Sequence, residues 1–257
     1  AFLHDNNRDT TEAIRALRAG FVSPDSVDDV LEPVYALTRQ DAKNLVGQTN
    51  ITSNNIIGLR ITFAAESPEI AQKTVSMLGR YAMDSIAYVI YAGAVPADCA
   101  AFKTKLVRYD AFILGKSEHI GELKRRADYL KDIARRYPDS ANAARQVVTV
   151  TEESARYLPP VTLLASTEVE ESEAREAIYK AKMEKSKAAL LLEYCERLSK
   201  VIAETSSGEA VVRNLEKTKE EVFKDKNLYE EVVKEVYQGI TIANRNAMWV
   251  YLDNSRF

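Results

Sequence analysis

The longest unbroken pattern of apolar and polar positions lies between Pro160 and Gly208, where neither proline nor glycine occurs. Apolar residues recur there at the three-to-four spacing of a helix, which predicts a long helix over about 161–206. At about 1.5 Å per residue, a helix of roughly 45 residues would be about 70 Å long. Because its large apolar side chains drift around the helix surface, the sequence does not specify a two-stranded coiled coil.

Helical spacing also marks most of the chain after residue 97. Segments 97–137 and 141–157 are each predicted to be helical, with prolines as the breaks between them. A further helix is predicted over 209–238. The connection at 206–208 is short, so this last helix is expected to run back alongside the long one.

A strand and a helix follow one another directly in the first third of the chain. Residues 56–63 alternate between apolar and polar or small side chains, which predicts a half-buried strand. Residues 67–69, Ser-Pro-Glu, then supply an N-cap, a proline at the first helical position and an acid in the first turn. The helix is predicted to run to about Tyr91, with Gly93 as its C-terminal cap. This is an α/β packing unit.

Shorter elements are predicted towards both ends of the chain. Residues 10–19 and 26–37 are predicted to form short helical stretches, the second of them interrupted by Pro33. Segments 240–242 and 248–252 are aromatic and β-branched, and at least one of them is predicted to be a strand. Such a strand would return to the sheet begun by residues 56–63.

Together these elements predict an α+β fold that is predominantly helical, in which a small α/β base carries a long extended helical arm. The base is assigned to residues 1–96 and 239–257. The arm is assigned to residues 97–238, with the long helix at about 161–206.

Composition and charge exclude some classes of protein. The chain has 257 residues, of which 46% are hydrophobic and 28% charged, which is the balance of a folded globular protein. The formal net charge of −3 gives no reason to expect nucleic acid as a partner, since proteins that bind its phosphates normally carry a basic excess.

Two cysteines, Cys99 and Cys195, are present, so neither a disulfide framework nor a metal site of the CxxC type is expected. A bond between them would require helices that bring their Cα atoms within about 7 Å. The alternative is two buried small apolar side chains. The sequence leaves both possibilities open, and with them the redox compartment.

The sequence contains no run of about 18 apolar residues, so no segment is expected to span a bilayer. The chain opens on Ala1 and Phe2, and it closes on Phe257 directly after an apolar stretch. Both ends are therefore expected to be cuts in something longer, with membrane segments beyond them left open.

Catalytic motifs are scarce. The phosphate-binding GxxxxGK[ST] and GxGxxG patterns, the GxSxG nucleophile pattern and the HExxH metal pattern are all absent from the sequence. The two histidines are His4 and His119, and the latter has Glu118 and Glu122 beside it on a helix. An ion-pairing histidine on a helix surface is favoured there over a metal ligand. No catalytic, cofactor-binding or metal-binding residue is assigned, no cofactor is expected, and the protein is predicted not to be an enzyme.

Charged clusters are interpreted as solvated helix faces. The acid pairs 170–171 and 220–221 lie among lysines and arginines, as expected for i,i+4 ion-pair networks. A basic run could attract an anionic polymer or a lipid headgroup, but interspersed acids favour a solvated face. Its members are Lys124, Arg125, Arg126, Lys131, Arg135 and Arg136.

Two stretches carry a resemblance to a known family. The strand and helix start at 56–72, with its Ser-Pro-Glu-Ile-Ala-Gln, resembles the base-domain segment of Wzz-type chain-length determinants, the bacterial polysaccharide co-polymerases. The stretch 156–168, with Leu158-Pro159-Pro160, is similar to that family's turn into its long helix. The resemblance extends over most of the chain.

This resemblance implies a periplasmic domain of a bacterial inner-membrane protein, with two transmembrane helices that flank it and are absent from this chain. It further implies a homo-oligomeric ring that sets the chain length of O-antigen or a related polysaccharide of lipopolysaccharide type. Its partners would be the polysaccharide polymerase and the lipid-linked glycan, and it would have no catalytic activity of its own. The alternative is a soluble helical adaptor or effector that binds a partner protein.

Overall fold

The computed structural model describes residue 18 and residues 30–35, 56–138 and 159–253. This part of the chain is predominantly helical, as predicted. The elements, in chain order, are β1 (Leu31–Tyr35), β2 (Ile56–Ile61), α1 (Pro68–Arg136), α2 (Pro160–Glu204), α3 (Gly208–Phe223), α4 (Glu231–Met248) and a π-helical turn (Trp249–Asp253). The predicted helix over 141–157 lies outside the described residues, as does that over 10–19 apart from Arg18, which is helical.

Strands β1 and β2 pair antiparallel, from Leu31 opposite Ile61 to Tyr35 opposite Ile56. The strand predicted from residue 56 is therefore confirmed. The helix predicted over 26–37 is wrong at 31–35, where Pro33 is tolerated because each strand of a two-stranded sheet is an edge strand.

The strand predicted near the carboxyl end is also wrong. Segment 240–242 belongs to α4, and residues 248–252 end α4 and enter the π-helical turn. The reason is the spacing of the buried positions Val233, Val236, Ile240 and Asn244, which is three to four residues and not two. The described residues contain this single short sheet, so a small α/β base is not shown.

Helix α1 begins as predicted but does not end where predicted. The Ser67 hydroxyl accepts a hydrogen bond from the Ile70 N–H at 3.3 Å, which caps the helix. The helix then continues through Gly93 and Pro96 to Arg136, so the predicted end near Tyr91 is wrong. Proline inside a helix costs about 3 kcal/mol. Val95 and Cys99, on either side of Pro96, are buried, and tertiary packing of this kind supplies most of the stability of a helix in a protein.

The long helix predicted over about 161–206 is present as α2. The single helix predicted over 209–238 is instead two helices, α3 and α4, separated by residues 224–230. In this turn the Asn227 side-chain oxygen accepts a hydrogen bond from the Tyr229 N–H at 3.1 Å. Such local side-chain bonds compete with the helix, which explains the break.

The chain divides into two compact units. The first unit contains residues 1–95, 197–221 and 240–257, and the second contains residues 96–196 and 222–239. The predicted division into a base (1–96 and 239–257) and an arm (97–238) stays a prediction.

In the second unit α1 and α2 run antiparallel. Lys103 bonds Glu196 at 3.0 Å, and Lys131 bonds Glu168 at 3.5 Å. The α2 side of this pair is a row of buried small residues at seven-residue intervals: Thr167, Ala174, Ala181, Ala188 and Cys195. A seven-residue repeat is the signature of coiled-coil pairing, so the expectation of drifting positions is corrected. That expectation followed the large apolar side chains, whereas small ones form this contact.

Cys99 and Cys195 form a disulfide between α1 and α2, with their Cα atoms 5.6 Å apart. Both residues are also buried. The sequence left open a bond between them or two buried small side chains, and the structure has both the bond and the burial. The antiparallel pairing of α1 and α2 brings together residues 96 positions apart, and no local pattern in the sequence encodes that pairing.

Candidate functional site

The start of α3 fixes the orientation of α1 in the first unit. The buried Asp84 carboxylate accepts hydrogen bonds from the Ser207 hydroxyl at 2.8 Å and from the Glu209 N–H at 2.7 Å. Gly208 lies directly against the backbone of Asp84 and Tyr88. This side of α1 therefore faces α3, and the opposite side of the helix is left to solvent.

That opposite side is apolar. Val89 and Ile90 lie three and four residues after Ile86, and all three are exposed. Val89 is 68% exposed and Ile90 47%. We call these three residues the α1 apolar face. Single exposed apolar side chains are normal, but three adjacent ones on one helix face mark a candidate interaction surface.

A second exposed apolar group lies beside the same stretch of α1. The rings of Tyr91 and Tyr251 meet edge to face, with centroids 6.4 Å apart. Next to Tyr251 in the π-helical turn, Trp249 is 60% exposed and Val250 is also exposed. Burial, followed by the charge of Tyr251, raises the pKa of Tyr91 above its usual value of 10.0. Turns of the π type occur often at functional sites.

The two segments that carry these apolar groups are almost free of charge. Residues 85–95 contain no charged side chain, and residues 240–252 contain one, Arg245, which is exposed. By contrast, 28% of the whole chain is charged. Neither segment carries an acidic residue, although the chain as a whole has an acidic excess.

Helix α1 is long and apolar enough to cross a membrane by length and composition, and 11% of its most apolar 18-residue window is buried. The expectation that no segment could span a bilayer is corrected on this point. Residues 85–95 of this helix contain alanine, glycine and tyrosine between isoleucines and valines, so they do not look like a run of large apolar residues.

A buried lysine forms a polar cluster elsewhere in the first unit. Lys219 is 1% exposed, and its ammonium group bonds Glu216, Glu220 at 3.2 Å and the Thr241 hydroxyl at 2.9 Å. The Asn244 amide donates to Glu216 at 3.1 Å. A buried charge is tolerated when it is paired in this way, so the cluster is a structural ion network that joins α3 to α4.

The pKa of Glu216 responds to this network. Burial raises the pKa, but hydrogen bonds from Lys219 and Asn244, with the charges of Lys219 and Arg245, outweigh burial and hold it below the usual 4.5. The folded protein therefore favours the ionised carboxylate.

The second unit contains an open groove of about 610 Å³ between α2 and α4. Apolar side chains including Met183, Leu190 and Val233 line it, and the Lys226 ammonium donates to Glu193 at 2.8 Å at its edge. Its volume is within the range of sites that receive ligands.

The residues considered for metal binding lie on the surface of the second unit. His119 Nδ1 is 3.8 Å from Glu122, an i,i+3 ion-pair geometry, and both side chains are exposed. Within the described ranges, no group of three or more His, Cys, Asp or Glu side chains is placed to hold a metal ion. His4 lies outside those ranges.

The acid pairs have basic partners. Glu171 accepts hydrogen bonds from Arg175 at 2.5 and 2.9 Å, and Glu221 is 4.0 Å from Arg197. Glu170 accepts instead from the Ser166 hydroxyl at 3.4 Å, and Glu220 bonds the buried Lys219.

In the basic run, Lys131 pairs with Glu168, and Arg135 lies 3.7 Å from Asp132. Lys124, Arg125 and Arg126 are exposed. Pairs of this kind at an exposed surface contribute little stability, about 0–1 kcal/mol each.

Sequence reasoning missed the α1 apolar face and the exposed turn at Trp249. Residues 86–90 were predicted only as the last part of a helix that ends near Tyr91, and residues 248–252 were one of two segments considered for a strand. The signal that could have found both is the absence of charge over 85–95 and the single charge over 240–252. Comparison with protein-family models, with curated proteins and with solved structures finds no match to this chain.

Proposed function

We propose that this chain is the periplasmic part of a non-catalytic polysaccharide co-polymerase. It acts as a homo-oligomer with the polymerase and the lipid-linked glycan, and it sets the chain length of a surface polysaccharide such as O-antigen. In this proposal β1, β2 and the start of α1 belong to an α/β base near the inner membrane, and α2 belongs to the arm.

One observation carries this proposal: both stretches that resemble the family lie at junctions between elements. The first stretch includes β2 and the capped start of α1 at Pro68. The second includes Pro160, the first residue of α2. A methyl group on Gly79 would lie 3.6 Å from Ile61 Cδ1, and this proximity of the end of β2 to α1 supports the proposed α/β unit.

The disulfide supports the compartment in this proposal. Disulfides persist in oxidising compartments such as the bacterial periplasm and are rare in the cytosol. The bond between Cys99 and Cys195 is buried between two helices, as expected of a structural disulfide.

Deletion of the gene tests the proposed function. Surface polysaccharide from the deletion strain, separated on a gel, should lose its preferred length, because the polymerase then stops at random. A plasmid that carries the gene should restore the preferred length, and the empty plasmid should not. Unchanged banding in the deletion strain, under conditions in which the parent strain makes the protein, would contradict the proposal.

The groove of the second unit favours a second candidate function, a helical adaptor that binds a partner protein. Its apolar lining and its Lys226–Glu193 edge suit a short amphipathic segment. Fractionation of native cells separates the two candidates. A co-polymerase should sediment with the membrane because of its flanking helices, whereas an adaptor should remain in the supernatant.

A further inference from the structure

We infer that the disulfide between Cys99 and Cys195 is a redox-sensitive clamp that keeps α1 continuous past Gly93 and Pro96, and that reduction of this bond opens the helix locally there. The inference rests on the sequence, burial and bonding of this stretch of α1. It does not depend on the proposed function, since it concerns contacts within this chain.

The local sequence around Pro96 favours two helices over one. Glycine just past the end of a helix and proline at the first position of the next are preferred at such a break, and Gly93 and Pro96 stand in that order. Asp98 adds an acid in the first turn after the proline, the arrangement that starts α1 at Pro68. Proline also lacks the N–H that would bond the carbonyl four residues before it. Because α1 is nevertheless helical here, tertiary contacts supply the stability that the local sequence lacks.

Few tertiary contacts hold the part of α1 that follows Pro96. Of the residues between Val95 and Leu123, all of which the structure describes, Cys99 alone is buried. The ion pairs that join this stretch to α2 are exposed, so they add little stability. The covalent bond at Cys99 is therefore the main attachment of the first turns after Pro96 to α2.

The position of the bond explains how it acts on the proline. Val95 and Cys99 are both buried and lie one helical turn apart on the same face of α1, with Pro96 between them. The bond holds the Cα atoms of Cys99 and Cys195 5.6 Å apart, so the first turn after the proline stays beside α2. A break at Pro96 would let that turn move, and a cross-link disfavours such an open state because it limits the conformations that the open state can adopt.

Reduction by a dithiol such as dithiothreitol releases the clamp. A thiolate of the dithiol attacks one sulfur of the disulfide, so that the Sγ–Sγ bond breaks and a mixed disulfide forms. The second thiolate of the dithiol then displaces the bound cysteine and closes a cyclic disulfide. Cys99 and Cys195 have then gained two electrons and two protons as thiols, and the dithiol has lost the same number.

Hydrogen exchange of the 257-residue chain, measured by mass spectrometry of its peptides, tests the clamp. In a helix that starts afresh at Pro96 the first N–H groups have no acceptor, so a peptide over 94–101 reports on the break. Its protection should fall at least about tenfold after reduction with excess dithiothreitol, and also in Cys99→Ser with Cys195→Ser. A peptide over 123–136 of the same helix is the reference and should change much less, because it has buried residues of its own. Modification with a maleimide verifies that both cysteines were reduced.

Pro96→Ala, added to the double cysteine variant, tests the local preference for a break. It restores the missing N–H, so the protection of residues 94–101 should return to within about threefold of that in the oxidised original chain. Gly115→Ala in the same background is the matched control. It also adds a good helix former to α1, but it lies outside the break and should leave residues 94–101 poorly protected. Circular dichroism should show that all variants are folded.

Three results would overturn the inference: unchanged protection of residues 94–101 after verified reduction, an equal loss of protection over 123–136, or no recovery with Pro96→Ala. The second result would mean that the bond stabilises the protein as a whole without acting at Pro96. If the double cysteine variant does not fold, the oxidised and reduced original chain still decide the first two. None of these results bears on chain length, which the gene deletion tests separately.

Discussion

Gly208 shows how the lack of one side chain positions a helix. A Cβ atom at this residue would lie 2.2 Å from the Asp84 carbonyl oxygen, 2.5 Å from the Tyr88 nitrogen and 2.7 Å from Ala87 Cβ. Two of these three atoms are backbone, which cannot move aside as a flexible side chain can. The same close approach lets the Asp84 carboxylate accept a hydrogen bond from the Glu209 N–H in the first turn of α3.

Gly208→Ala is therefore expected to destabilise the protein by about 2–3 kcal/mol or more, because α3 must move away from α1. Urea denaturation followed by circular dichroism measures the change. Gly115→Ala is the control. This glycine also lies in a helix, but nothing is within 4 Å of the added Cβ. The control should gain about 0.5–1 kcal/mol from helix propensity. Equal effects of the two substitutions would show that Gly208 is not a close contact.

The lowered pKa of Glu216 leads to a prediction of how the free energy of unfolding depends on pH. Its pKa is lowered in the folded protein, so its contribution to stability is present above the usual value of 4.5 and is lost as pH falls through the folded value. Below pH 4.5, the free energy of unfolding should fall more steeply for the original protein than for Glu216→Gln.

Chemical denaturation measured from pH 7 to pH 3 tests this prediction. In a Lys219→Met background, Glu216→Gln should have a much smaller effect, because the main partner of the carboxylate is gone. If the two denaturation series are parallel over the whole pH range, the network does not control the titration of Glu216.

At the scale of elements, the pairing of α1 with α2 depends on small side chains. Buried alanines at seven-residue intervals on α2 allow the two helix backbones to approach closely. Charged pairs at the border of the seam help to fix how the two helices align along their length. An example is Lys185 with Asp110 at 2.5 Å. Because these pairs are exposed, burial in the seam contributes more to stability than they do.

The disulfide between α1 and α2 is expected to stabilise the protein by about 2–5 kcal/mol, since it closes a long loop, between residues 96 positions apart, in the unfolded chain. The double variant Cys99→Ser with Cys195→Ser should unfold at lower urea concentration than the oxidised protein. The original protein should approach the stability of the variant when a reducing agent is added, while the variant itself should not respond to that agent. Equal unfolding midpoints for the oxidised and reduced original protein would contradict this expectation.

For the molecule as a whole, the oxidation state of the two cysteines in cells tests the proposed periplasmic localisation. Cells treated with acid to trap thiols, then denatured and treated with a maleimide of high mass, report how many cysteines were free. For a periplasmic protein neither Cys99 nor Cys195 should be modified until a reductant is added. Modification of both in the untreated sample would place the protein in a reducing compartment and contradict the proposed localisation.

The elements that the sequence predicted well are those with strong local signals. Strand β2 alternates with a period of two, the start of α1 has three agreeing residues, and α2 lacks any proline or glycine between Pro160 and Gly208. The end of α1 was wrong because Gly93 and Pro96 are local breaking signals that packing overrides. Segment 240–252 was wrong because β-branched and aromatic residues suit a strand locally but occur here at helical spacing.

The sequence alone determined that this is a folded, predominantly helical protein with one very long helix, because periodicity and helix propensity act over neighbouring residues. Only the tertiary structure decided which faces meet: the seam of small residues between α1 and α2, the bond between Cys99 and Cys195, and the burial of Lys219. It also decided that Ile86, Val89 and Ile90 stay exposed. Each of these features depends on residues far apart in the chain. A repeat of small or apolar side chains in the sequence does not identify which other element will pack against that repeat.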